Sequence, residues 1–221
     1  MNATDGIRSL SSRIANAATV DPAAAILNCP GWTMVDLVRH LADVQWFWAD
    51  IVERRVTSRL DRRRPPDMPT ETTAVEWLLT QSAHLVDVLA GIHASTTVWT
   101  WCDAEQSVGF VQRRQLIEAA IHCFDAENAV GVAWSVPIDV AVEGLDEFLD
   151  VMSDDIRPGA QPSPVTLMAT DVKWQRTLFP GGARAPMPLA APAQELLLTL
   201  WGRRTADDGA VAASIACIDL T

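Results

Sequence analysis

The chain has 221 residues, of which 49% are hydrophobic and 20% are charged, a composition typical of a globular protein rather than a disordered one. Its 28 Asp and Glu residues outnumber its 17 Lys and Arg residues, and the formal net charge is −11. This acidic balance argues against a nucleic-acid-binding protein, because contact with a phosphate backbone needs a surplus of Lys and Arg.

Several further classes are disfavoured by features that the sequence lacks. No segment has the ~18 apolar residues of a membrane span, and the first ten residues lack the apolar core of a signal peptide. The 4 cysteines stand apart without a C-x-x-C pair, so neither a zinc knuckle nor a disulfide framework is indicated. We therefore expect a reduced, cytoplasmic protein, and for a chain of this size a monomer. The Arg-rich, Lys-poor composition is typical of a GC-rich genome.

The first two-thirds of the chain have the apolar periodicity of four long helices. Thr33 with Asp36, and Thr73 with Glu76, have the spacing of capping boxes that begin the second and third of them. The helices are expected over residues 7–18, 33–55, 73–91 and 109–129. Four amphipathic helices with these connections predict a helical bundle.

The pattern changes after Pro137. A shorter helix is expected over 140–152, then a Pro- and Gly-containing linker over 157–164, two strands at 165–170 and 173–179, and a helix from Pro192 to Gly202. The sequence therefore predicts a mainly α protein: a four-helix bundle domain over 1–155 followed by a small α+β domain over 156–221.

The fourth helix carries two residues whose side chains can share a metal ion. Glu118 and His122 are four residues apart and therefore lie one turn apart on the same face. Asp125 follows one turn later, where a carboxylate can hold the far nitrogen of the histidine. His40, on the apolar second helix, is the best candidate for a third ligand. Two histidines and one glutamate leave a fourth coordination position open, as catalytic zinc sites require.

Spacing alone favours a simpler interpretation. A Glu and a His four residues apart on a helix often form only a surface hydrogen bond, and a His among Leu and Val is more often a buried core residue than a ligand. His84 and His93 lack a carboxylate one turn before them, so we expect both to be structural.

A resemblance to a known family strengthens the metal interpretation. Three segments, in the expected order, resemble the mycothiol-dependent maleylpyruvate isomerase family, which combines a DinB-like metal-binding bundle with a small α+β C-terminal domain. The segments are Cys29-Pro-Gly-Trp-Thr33 with Asp36-Leu-Val-Arg-His40; Arg113-Arg114 with Glu118, His122, Asp125-Ala-Glu127 and Ala129-Val-Gly131; and Leu196 to Arg203.

The resemblance implies that His40, Glu118 and His122 bind a divalent metal, with zinc the expected ion. It also implies that the cosubstrate is mycothiol, a low-molecular-weight thiol of actinobacteria, which agrees with the GC-rich composition. A zinc-type ion lowers the pKa of a thiol, so that thiolate is available near neutral pH. On a small electrophilic substrate, the thiolate can add to an activated double bond and be expelled after rotation, which gives isomerisation. Alternatively, it can displace a leaving group and remain attached, which gives S-transfer, and the sequence does not decide between the two.

Arg203 is a second candidate site residue, because an Arg can hold a carboxylate of the substrate or thiol in a two-pronged grip. A favourable interaction of the Arg203 charge with the C-terminus of its own helix explains the presence of an Arg at this position equally well. The sequence departs from the family pattern at Ile117, where many relatives have His, and at Cys123. Neither change removes a ligand, and Cys123 is expected to face away from the site.

Two alternatives to a mycothiol enzyme stay open at this point. One is a DinB-like metalloenzyme that uses another thiol or water as nucleophile. The other is a non-catalytic protein that binds a metal, a ligand or a partner. The substrate is not indicated by the sequence.

Overall fold

The computed structural model describes residues 2–69, 72–181 and 184–219. The chain divides into two compact units, Met1–Ser135 and Val136–Thr221. Within the described ranges, no helix is both long enough and apolar enough to cross a membrane.

The first unit is a bundle of four long helices. Helix α1 packs against α3 and α4, and α2 packs against the same two helices. A 3-10 turn, Arg59–Asp61, lies in the connection between α2 and α3. The four helices are α1 (Ala3–Val20), α2 (Met34–Arg54), α3 (Ala74–Gly91) and α4 (Val108–Ala129), which confirms the four predicted helices.

Both predicted capping boxes are present. The hydroxyl of Thr33 accepts a hydrogen bond from the backbone N–H of Asp36, and the carboxylate of Asp36 accepts one from the backbone N–H of Thr33. Backbone N–H groups at the start of α2 that have no partner within the helix are thereby paired. Thr73 and Glu76 make the same reciprocal pair at the start of α3. Arg55 then ends α2 in a left-handed conformation, with φ of 52°.

Helix α4 is the most enclosed element of the bundle. Sixteen of its 22 residues are buried, among them five polar or charged ones. A helix enclosed on nearly every side brings its polar residues into the protein interior, where each needs a partner. The core around them is formed by fully buried apolar side chains, including Ile7, Leu10, Leu37, Leu41 and Phe110.

The second unit is a small α+β unit. Its three-stranded sheet has the order β2-β1-β3, with β1 antiparallel to β2 and parallel to β3. In this register Val165 lies opposite both Leu178 and Met187. Helix α5 continues directly into one π-helical turn, Phe148–Met152. The elements are α5 (Ile138–Glu147), β1 (Val165–Ala169), β2 (Gln175–Leu178), β3 (Met187–Ala191), α6 (Ala193–Leu200) and α7 (Gly209–Ile215).

The mainly α fold with a small α+β part is confirmed, and the second unit adds two elements that the sequence analysis does not predict, β3 and α7. The division between compact units falls at 135/136 because α5, with Val140, Ala141 and Leu145 buried, packs against α6. The predicted boundary at 155/156 stays a prediction about independent folding.

Candidate metal centre

The three predicted ligands lie together between α2 and α4. Nε2 of His40 is 3.3 Å from Oε1 of Glu118, and Nε2 of His122 is 3.2 Å from the same oxygen. The two imidazole rings meet edge to face, with their centroids 5.2 Å apart. The capped start of α2 places His40 two turns into that helix, opposite the middle of α4. Packing of the two helices thus unites residues that are 78 positions apart in the chain.

The donor set fits a divalent metal. One ligand atom from each of the three residues lies within 4.8 Å of the other two. Ligand bonds of roughly 2.0–2.1 Å at tetrahedral angles separate two ligand atoms by about 3.3 Å, which is close to the spacings observed here. Two imidazole nitrogens and one carboxylate oxygen are also ligands that zinc prefers. The side chains are 35%, 18% and 10% exposed for His40, Glu118 and His122, so the site is open on the side of His40.

Arg114 supports the carboxylate of Glu118 from one turn earlier on α4. Its guanidinium donates to Oε2 of Glu118, which leaves Oε1 directed at the two histidines. Burial by itself would raise the pKa of Glu118, but the charge of Arg114 and the hydrogen bonds from His122 and His40 hold it well below its usual range. The carboxylate is therefore ionised and available as a ligand. This role of Arg114 was not predicted from the sequence, although an Arg four residues before the candidate ligand Glu118 is a usable signal.

The other nitrogen of His122 faces a second carboxylate. Nδ1 of His122 is 3.1 Å from Oδ2 of Asp125, whose side chain is fully buried. Desolvation would lower the pKa of His122, but hydrogen bonds to Asp125 and Glu118 outweigh it and raise the pKa to about 9. Without a metal the imidazole is thus an imidazolium between two carboxylates.

The Pro-Gly turn before α2 lies against this site. The N–H of Trp32 donates to the carbonyl of Cys29 at 3.0 Å, and Gly31 has φ of +86°. Pro30 and Gly31 therefore occupy the central positions of a type II β-turn, where a positive φ at the second one favours Gly. The ring of Trp32 lies 4.9 Å from that of His40.

The remaining candidates have separate surroundings. Arg203 lies just past the end of α6 in the second unit, where its Nη1 donates to the carbonyl of Trp201 at 2.9 Å. Cys123 is fully buried and burial raises its pKa, which does not suit a nucleophilic thiolate. His84 lies 3.5 Å from Glu53 at the surface, and His93 contacts Ser95 at 2.8 Å. Neither of these histidines belongs to a metal-binding group in the described part of the chain.

Comparison with known proteins supports the family resemblance. Residues 3–127 match the family model described as the mycothiol maleylpyruvate isomerase N-terminal domain. A crystal structure of the mycothiol-dependent maleylpyruvate isomerase superposes with a TM-score of 0.60, covering 93% of this chain and 91% of that one. The sequence identity is 13%, so this likeness concerns the fold. A comparison with curated proteins gives no match.

Proposed function

The chain belongs to the mycothiol maleylpyruvate isomerase family of enzymes. From this membership we propose that it is a metal-dependent enzyme that uses mycothiol either to isomerise a small electrophilic substrate or to displace a leaving group from it and stay attached through sulfur. The proposed ligands are His40, Glu118 and His122, and the proposed metal is zinc. We also propose a cytoplasmic location and an actinobacterial source, both in agreement with the proposed use of mycothiol.

The observation that carries the proposal is the convergence of three ligand atoms from two helices on one point, at separations of 3.2 and 3.3 Å. A simple surface hydrogen bond does not explain this arrangement. Glu118 is paired to buried Arg114 on one side and faces two histidines on the other. Because burying charged groups costs free energy, such a cluster in a bundle core indicates a binding site.

The chemistry that a bound divalent ion supplies is a positive charge that lowers the pKa of a thiol at the site. The chain's own residues provide the rest. Arg114 and Glu118 form a fixed ion pair, while Asp125 holds the inner nitrogen of His122. His40 is the most exposed of the three ligands, so thiol and substrate approach from its side, past the ring of Trp32. Arg203 is proposed to bind a carboxylate of the substrate or the thiol.

Metal analysis of the purified protein tests the proposal. We expect about one zinc ion per chain in the wild type and almost none in Glu118→Ala. Glu127→Gln is the matched control, since Glu127 is a buried carboxylate on the same helix that pairs with Arg13 instead. A metal content near zero in the wild type would overturn the proposed site.

A second measurement tests the thiol. Conversion of an electrophilic probe such as a cis-enedione acid should require mycothiol and disappear in His122→Ala. Equal activity with other thiols, or with water alone, would refute the use of mycothiol but would not affect the proposed metal site.

A further inference from the structure

The turn at residues 28–32 contacts the candidate metal centre at two separate points. On one side the ring of Trp32 lies 4.9 Å from that of His40. On the other side, Asn28 and Cys29 reach Asp125, the carboxylate that faces His122. One short segment thus touches the surroundings of both histidines, although these lie on different helices.

The contacts of Asp125 are divided between its two oxygens. Oδ1 accepts from Nδ2 of Asn28 at 3.1 Å, and Oδ2 accepts from the thiol of Cys29 at 3.9 Å and from Nδ1 of His122 at 3.1 Å. An ionised carboxylate only accepts hydrogen bonds, so Nδ1 of His122 carries a proton here. Nε2 is then the nitrogen that is directed at Glu118, 3.2 Å away.

The turn itself is held rigidly. The backbone of Ile26 donates to the carbonyl of Trp32 at 2.9 Å, and that of Met34 donates to Ala24 at 2.8 Å. Together with the type II turn, these bonds fix the positions of Asn28 and Trp32 relative to the start of α2. A rigid support of this kind preserves the orientation of the groups that it contacts.

We propose that the turn at 28–32 positions both histidines of the metal centre, His40 through Trp32, and His122 through Asn28, Cys29 and Asp125. These are positioning residues, because they act through the histidines and not on the reacting atoms. The inference rests on the proposed metal site, and it extends that site from two helices to the turn that precedes α2.

The same contacts admit one competing interpretation. Ligand atoms of Cys29, His122 and Asp125 also lie within 4.8 Å of one another, so the cluster has the composition of a second metal site. The positioning role is favoured because one oxygen of Asp125 already accepts a hydrogen bond from the side-chain amide of Asn28, and an N–H donor is not a metal ligand. In addition, the Nε2 of His122 faces Glu118 in the proposed site, so its Nδ1 could bind a second ion only if the imidazole lost both of its protons.

Zinc affinity of the full chain, measured by competition with a chromophoric chelator, tests the proposal. Asp125→Asn should bind zinc about 10–100-fold more weakly, the range typical of outer partners of metal ligands. Asn28→Ala should bind several-fold more weakly, although Asn28 is not a ligand in either interpretation. The double variant should lose less than the product of the two single losses, because both act through one carboxylate.

Controls separate positioning from general stability. Glu127→Gln replaces a buried carboxylate on the same helix and should keep wild-type zinc affinity. Unfolding of each metal-free variant is followed by circular dichroism. If Asn28→Ala folds and binds zinc within twofold of the wild type, the turn does not position His122, and the proposal that it positions both histidines is overturned. A second zinc equivalent that disappears in Cys29→Ser would also overturn it, since the cluster would then be a metal site.

A measurement on the metal-free protein tests this inference separately from the proposed function. In ¹⁵N-histidine spectra of the metal-free protein, the Nδ1 proton of His122 should exchange slowly with solvent, and faster in Asn28→Ala. Absence of zinc binding together with this change would refute the metal site but retain the positioning contact. Equal exchange in both proteins would refute the positioning contact itself.

Discussion

The two compact units bury different kinds of side chains. Among the described residues, twelve buried polar or charged side chains lie in the first unit and two, Glu147 and Ser214, lie in the second. Five of the twelve belong to α4. A buried polar group costs free energy unless it is paired. The concentration of buried polar residues on α4 therefore indicates that this helix carries the functional site, where local stability is commonly reduced.

The same contrast exists within α4 itself. Glu118 faces His40 and His122 and also pairs with Arg114 of its own helix, and Asp125 faces His122. Glu127, half a turn after Asp125, instead makes a two-pronged ion pair with Arg13 of α1, at 2.8 and 2.6 Å. We therefore propose two uses for buried charge on this helix, a metal-binding site and a connection between helices.

The largest expected effect separates these two uses. Arg13→Ala leaves the carboxylate of Glu127 buried without its cation, and we expect the free energy of unfolding to fall by ~3 kcal/mol. This is the lower end of the range for buried pairs, because the Arg13 side chain is 30% exposed. Urea unfolding measures the change, and zinc content per folded chain should not alter. Loss of zinc in Arg13→Ala would mean that the two uses are coupled.

Substitution of Arg203 tests whether the second unit, whose core is mostly apolar, contributes to catalysis. If Arg203 binds a carboxylate, Arg203→Ala should lower kcat/KM by about 10–100-fold, the equivalent of one charge-assisted hydrogen bond. Zinc content should stay at the wild-type level. Arg204→Ala is the control, since the neighbouring Arg204 is 51% exposed and lies 3.5 Å from Glu195. Equal effects of the two substitutions would assign Arg203 a structural role.

The pH dependence of zinc binding sharpens the description of the site. The pKa of His122 in the metal-free protein is about 9, so below this pH its Nε2 carries a proton that zinc must displace. Zinc affinity should therefore rise about tenfold per pH unit between pH 7 and 9. Calorimetry in buffers of different ionisation enthalpy should detect about one proton released per zinc. A flat profile would place His122 outside the ligand set.

The smallest effect concerns a buried group beside the site that has no chemical role. Cys123 is adjacent to His122 but faces the core, so Cys123→Ala should cost only ~1 kcal/mol of stability. Activity and zinc content should stay within twofold of the wild type. A large loss of activity with normal folding would make Cys123 a participant in catalysis.

Local sequence patterns predicted the helices of the bundle well. In the capping boxes at Thr33 and Thr73, the paired residues are only three positions apart. The boxes therefore mark the starts of α2 and α3 without any tertiary information. The spacing of Glu118 and His122 likewise places both on one face of a helix. Strand β3 escaped prediction because Met187–Ala191 lacks β-branched residues and becomes a strand only through parallel pairing with β1.

What the sequence by itself determined is therefore local: helix starts and ends, and the four-residue spacing of Glu118 and His122. Only the tertiary structure decided which distant residues meet. It brings Asn28 to Asp125 across 97 positions and Arg13 to Glu127 across 114. The physical reason is range, since caps and periodicity depend on hydrogen bonds a few residues apart, whereas these pairs depend on how whole helices pack.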